Sequence, residues 1–285
     1  MVRNEVSEVN EPGEIKQKKP RVAAFFDLDG TLVSRPSMEK RFFSMLRCRR
    51  LIGFRSYFLW IAEAVRLAPR GINQILHANK MYLRGVCAEE CGSLVLSRFY
   101  PKAVERAAWH AELGHLIVMV SGTLEPLAER AALALEVELG ARGVRTRIRV
   151  CATRLAERDG RWTGQIAGEA MFAEAKVRAV RRIAAEDNFD LERCHAYGDS
   201  ASDRSMLEAV GKPAVVNPSN DLLCIARRND WPVLRWAEGK DFRQGSKRLL
   251  RTQRKPGAGI ARRIDTAEEF DRGTLAGRAS TEHGA

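Results

Sequence analysis

Val22-Ala23-Ala24-Phe25-Phe26-Asp27-Leu28-Asp29-Gly30-Thr31 is the stretch that decides the fold. Five apolar residues ending in two phenylalanines have the unbroken hydrophobicity of a strand buried on both faces of a parallel sheet. The run stops at Asp27-Leu28-Asp29-Gly30. Ligands of open α/β sheets sit just beyond the carboxyl ends of strands, so two carboxylates two residues apart at such an end face one small volume. They repel each other there unless a cation or a proton lies between them. Gly30 lets backbone approach a ligand closely, and Thr31 offers a hydroxyl. The plain alternative is a strand end closed by an Asx turn.

The chain around this stretch has 285 residues, enough for one large domain or two moderate ones. At 45% hydrophobic residues it can bury a sizeable core. Lys and Arg number 48 against 36 Asp and Glu, a formal charge of +12, which favours anionic partners of any kind. The six cysteines are scattered. Cys87 and Cys91 would share a helical face, but no second close pair completes a zinc set, so small, buried, reduced cysteines are expected. Residues 1–20 are charged and lack the apolar core of a secretory signal, and no apolar run reaches membrane-spanning length. The expected location is the cytoplasm.

Residues 1–20 are expected to be a disordered arm. From Ser34 to Tyr100 the pattern is helical, with Met38, Phe42, Met45 and Leu46 at three- and four-residue spacing. Further helices are expected over 51–67, 72–83 and 88–99. Strands are expected over 115–120, 147–153, 194–197, 213–216 and 231–236, with Asp159-Gly160 as a hairpin turn and a helix over 173–186. Alternating strands and helices imply a Rossmann-like parallel α/β sheet. The expected organisation is a core of 21–33 plus 104–238, an all-helical cap of 34–103 inserted after the first strand, and a basic, disordered tail of 239–285. Nine basic residues against one acid between Lys240 and Arg263 make acidic membrane or nucleic acid the candidate contact for that tail.

Four motifs occur in order. Asp27-Leu28-Asp29-Gly30-Thr31 is followed by Ser121-Gly122-Thr123 at a strand end, by Lys176 early in a helix, and by Gly198-Asp199-Ser200-Ala201-Ser202-Asp203 after another strand. Together they resemble the haloacid dehalogenase (HAD) superfamily of phosphohydrolases, over about residues 21–237, and within it the phosphoserine-phosphatase-like subfamily IB. The resemblance implies that Asp27 is the nucleophile forming an aspartyl-phosphate and Asp29 the general acid/base. It implies that Thr31, Ser121, the Gly122 amide and Lys176 bind phosphate. Mg²⁺ would be held by Asp27, by Asp29 through its backbone carbonyl, and by Asp199 and Asp203. Asn217, at a following strand end, is a candidate for the metal's surroundings. Arg178 is the best rival to Lys176. For each motif the plain alternative is structural: a strand-to-helix turn, a surface lysine, helix-start acids.

Two departures bear on substrate. Phosphoserine phosphatases carry a glutamate nine residues after the nucleophile, where this chain has Pro36, with Glu39 three further on. Their second motif runs Ser-Gly-Gly-Phe, whereas this chain has Ser121-Gly122-Thr123-Leu124. The expected activity is Mg²⁺-dependent hydrolysis of a small phosphorylated metabolite. The alternatives are phosphoserine itself, a lipid-type phosphate ester, or a HAD-like binding module tethered by its tail. Residues 35–70 hold nine basic residues and two acids among six Phe, Tyr and Trp residues, consistent with a solvated basic face or an acidic-membrane contact.

Overall fold

A computed structural model of the chain describes residues 21–237. The expected arm and the whole of the basic tail lie outside the described residues. The strand β1 (Ala23–Phe26) leads into α1 (Met38–Cys48), α2 (Phe54–Leu67), α3 (Ile72–Ala78) and α4 (Pro101–Glu112). Next come β2 (Leu116–Leu124), α5 (Glu125–Ala141), β3 (Ile148–Thr153), β4 (Leu155–Arg158) and β5 (Arg161–Ile166). Then follow α6 (Glu174–Asp187), β6 (His195–Gly198), α7 (Arg204–Glu208), β7 (Lys212–Val216), α8 (Asn220–Arg228) and β8 (Val233–Leu234). Six strands form one parallel sheet in the order β3-β2-β1-β6-β7-β8. This is the expected α/β architecture, with a helical insert after the first strand.

β1 lies between β2 and β6, and its four residues are wholly buried. Side chains alternate across a strand, so Ala24 and Phe26 pack into one apolar layer while Ala23 and Phe25 pack into the other. Phe26 stacks on Tyr197 of β6 with ring centroids 4.6 Å apart. Such two-sided burial leaves only the strand ends for polar groups.

Two expected helices prove shorter. α3 stops at Ala78 because Asn79 is extended and its amide donates to the Trp60 carbonyl at 2.8 Å. The helix expected over 88–99 is only a 3₁₀ segment, Ala88–Ser93. Arg130 of α5 donates to the Cys91 and Leu94 carbonyls, taking the acceptors that a continuing helix would use. β2 is longer than expected. It continues through Ser121-Gly122-Thr123, with its register on β3 shifting between Val120 and Leu124. Asp159 and Gly160 both have positive φ, as the two-residue hairpin joining β4 and β5 requires. That hairpin docks on the insert: Gly85 donates to the Trp162 carbonyl and Trp162 to the Val86 carbonyl. The cysteines are free, but only Cys91, Cys151 and Cys194 are buried; Cys48 and Cys224 are exposed, against expectation. Among the described residues no helix is long and apolar enough to cross a membrane.

At the amino ends of the strands, His110 meets His115 ring to ring at 2.9 Å and the Tyr197 hydroxyl at 2.9 Å. Beside them the His195 Nδ1 is buried without a hydrogen-bond partner. Burial first, then Lys212, His115 and Arg106, push His195 down to about 3. An unfolded histidine takes up a proton below about pH 6.5, whereas this one resists it, so its effect is to lower stability as pH falls through that range. Thermal melts at about pH 7.5 and about pH 5.5 test this. His195→Gln should lose less melting temperature between the two than the parent chain; an equal loss would contradict the assignment.

Candidate active site

Asp27 follows β1 directly, and its amide extends the ladder by donating to the Tyr197 carbonyl at 2.9 Å. The chain then turns tightly, with Gly30 donating to the Val33 carbonyl and Leu32 to the Leu28 carbonyl. Gly30 has φ +98°, and a Cβ there would lie 2.1 Å from the Asp199 Oδ2. The position therefore needs glycine for both conformation and space.

Asp199 lies just past β6, the neighbour of β1 on the other side from β2. Asp203 sits one turn on, where its Oδ2 accepts from the Asp199 amide (3.2 Å), the Ser200 amide (3.0 Å) and the Ser200 hydroxyl (3.1 Å). Lys176, in the first turn of α6, sends its Nζ to Asp27 Oδ1 at 2.6 Å and to Asp203 Oδ1 at 2.5 Å. Lys176, Asp27, Asp199 and Asp203 are all buried. One carboxylate oxygen from each of the three aspartates lies within 4.8 Å of the others.

Packing three carboxylates into one buried volume disfavours their charged forms. Burial, outweighing the pull of Lys176 and reinforced by Asp203 and Asp199, holds Asp27 well above the usual carboxylate range. Burial and the nearby Asp203 push Asp199 up to about 7, although the Arg35 guanidinium opposes this. For Lys176, burial alone would lower the ammonium, but Asp203 and Asp27 more than offset it and hold its proton more tightly.

The sequence-predicted residues are not all in this cluster. The Asp29 carboxylate turns instead to the Met38 amide, the first of α1, at 2.8 Å. Burial pushes Asp29 up to about 6, with the Met38 amide opposing and Glu39 reinforcing. Ser121 lies on β2 two residues past Met119, which pairs with Phe26 of β1. The Ser121 hydroxyl is buried and accepts from the Thr123 amide at 3.3 Å. The Gly122 carbonyl accepts from the Thr153 hydroxyl at 3.0 Å. The Thr31 and Thr123 hydroxyls are buried without hydrogen-bond partners, the condition of groups prepared for a ligand.

Arg178 points away, paired with Glu169 at the surface, which leaves Lys176 alone of the two at the carboxylates. Asn217 reaches the edge of the site, where its Nδ2 donates to the Gly30 carbonyl at 3.5 Å. Its Oδ1 accepts from the Trp236 and Ala237 amides (2.9 and 3.1 Å), so it ties down the chain after β8. Arg35 was not anticipated. Its guanidinium reaches back from the start of the insert to Asp199 Oδ2 at 2.5 Å while remaining largely exposed to solvent. A lone arginine beside a proline gives no spacing signal, so only the folded turn reveals this contact.

The donor set is all oxygen, buried, and short of positive charge, which suits a hard divalent ion such as Mg²⁺. Residues 24–208 match the family of haloacid dehalogenase-like hydrolases, and the chain belongs to that family. A Mycobacterium tuberculosis protein named as a probable phosphatase is 32% identical to it, over 79% of each chain. A phosphoserine phosphatase of the same organism is 29% identical, covering 78% of this chain and 71% of its own. Among solved structures, a Bordetella pertussis protein of unknown function superposes with a TM-score of 0.57 at 27% identity, covering 76% of this chain and 99% of its own.

Gly30→Ala should displace Asp199 and lower any hydrolytic turnover by roughly tenfold or more. Gly140→Ala, at a position with open space around it, should leave turnover unchanged. Equal activity of the two variants would show that the approach of Gly30 to Asp199 is immaterial.

Proposed function

We propose that this chain is a Mg²⁺-dependent phosphomonoester hydrolase that forms an aspartyl-phosphate on Asp27 and acts on a small phosphorylated metabolite. The observation that carries this reading is the Lys176 ammonium shared between Asp27 and Asp203, with Asp199 alongside, at the carboxyl ends of adjacent strands.

Phosphoryl transfer needs a nucleophile, charge neutralisation and a proton for the leaving oxygen. The Asp27 carboxylate attacks phosphorus, and the phosphorus–oxygen bond to the leaving alcohol breaks. Lys176 neutralises both the carboxylate and the incoming phosphate. The Ser121 and Thr31 hydroxyls and the Gly122 amide donate to phosphate oxygens. Asp29, pushed up to about 6, can carry the proton that the departing alkoxide needs. A water then attacks the acyl phosphate, Asp29 takes its proton, and Asp27 is regenerated. Asp27, Asp199, Asp203 and the Asp29 carbonyl would hold Mg²⁺, which when bound supplies positive charge and orients the phosphate. Asp203 also fixes Lys176 and the Asp199 backbone.

We assign residues 34–103 as the cap that covers the leaving group and limits water access. Phosphoserine is the alternative substrate raised by the similarity to a phosphoserine phosphatase. Glu39 argues against it. Its Oε1 already accepts from the Lys80 ammonium and the Tyr82 hydroxyl, both at 2.5 Å, so a buried cation already neutralises this carboxylate and only its Oε2 is left to a substrate ammonium. Pro36 offers no replacement.

Asp27→Asn should abolish turnover of an aryl phosphate with Mg²⁺ present, and retention of parent-level turnover would refute the nucleophile. Asp29→Asn should cost alkyl phosphates roughly tenfold or more beyond its cost to aryl phosphates, whose leaving groups need no proton. Equal losses would remove its acid role.

A further inference from the structure

The helix α2 is amphipathic with its apolar side outward. Its buried residues are Ser56, whose hydroxyl donates to the Arg84 carbonyl, and Leu67. Phe54, Phe58, Ile61 and Val65 face solvent, each between 58% and 75% exposed. At 3.6 residues per turn these four fall within an arc of about 60°. Ile72 and Leu76 of the adjoining α3 add two more exposed aliphatic side chains, at 65% and 62%. A globular helix normally turns such residues inward, and a contiguous apolar patch of this kind marks an interaction surface.

The charges around it select the partner. Arg55 lies about a quarter-turn round the helix from the stripe, on the same side as Arg66, which Glu63 holds. Arg47 and Arg50 are exposed on the approach to α2, as is Arg49, which lies 3.6 Å from Glu90. The two acids between residues 35 and 70 are both engaged, Glu39 by Lys80 and Glu63 by Arg66. An apolar stripe bordered on one side by Arg55, with Arg47 and Arg50 nearby and both acids of residues 35–70 paired, matches the interface of an acidic bilayer, into which apolar side chains insert while arginines meet lipid phosphates. A second copy of this chain would set the same cations against one another. We propose that α2 and α3 form an interfacial element that seats this protein on an acidic membrane surface without crossing it.

The face lies on the insert that folds over the core. His77, next to Leu76, stacks on Phe172 with ring centroids 3.6 Å apart. Phe172 follows Met171, whose carbonyl approaches Gly122. The proposal does not rest on the phosphatase reading, because the docking face and the carboxylate cluster share no residue.

Co-sedimentation of the full chain with phosphatidylcholine vesicles, with and without about 30% phosphatidylglycerol, tests it. The parent chain should pellet with acidic vesicles and stay in the supernatant with neutral ones. The double variant Phe58→Ser, Ile61→Ser keeps every basic residue. It should lose roughly tenfold or more of the acidic-vesicle affinity, with its melting curve and its turnover of a soluble aryl phosphate unchanged. Three results would overturn the proposal: a parent chain that ignores acidic vesicles, a double variant that binds them as the parent does, or light scattering showing a parent dimer that the variant dissolves.

Discussion

The structure depends on the Lys176 ammonium wedged between Asp27 and Asp203. Three aspartates have been carried into the interior, and each pays a desolvation cost that only a nearby positive charge offsets. Without Lys176, Asp27 and Asp203 would face each other as like charges, or one would take a proton and lose its use as a nucleophile or ligand. The three residues are far apart in sequence and meet because the sheet places β1 beside β6 while α6 begins near both ends. The fold is thus the device that holds a buried lysine against two carboxylates.

That same arrangement divides labour between two aspartates only two residues apart. Asp27 continues the strand and is fixed by a ladder hydrogen bond, so its carboxylate faces Lys176. Asp29 lies within the turn and is held by the first amide of α1. One sits in a charged cluster against a lysine, the other at a helix start. Gly30 between them and the insert permits the approach of Asp199, since any side chain there would occupy the space of that carboxylate.

Much of this was legible in the sequence, for reasons that can be traced. β1 read clearly because a strand buried on both faces must be apolar throughout, and a sudden pair of aspartates marks its end. Lys176 could be preferred to Arg178 by the motif leading to it, and the structure turns Arg178 to the surface. The shortened helices were not legible, because what ends them is tertiary: Arg130, far along the chain, takes the carbonyls after Cys91. Arg35 was hidden for the same reason, since a guanidinium reaching Asp199 is set by folded geometry; Asn217 could be picked out at its strand end, but its tie to Trp236 could not. The outward apolar stripe of α2 was invisible too. Periodicity marks an amphipathic helix but does not say which side faces water.

The most direct test is to quench the enzyme during turnover of a phosphate ester with Mg²⁺, trap any acyl phosphate by borohydride reduction, and map the reduced residue by peptide mass spectrometry. The account requires reduction at Asp27 alone, appearing only when substrate is present. Reduction at Asp29, Asp199 or Asp203, or sustained turnover with no residue reduced, would contradict it.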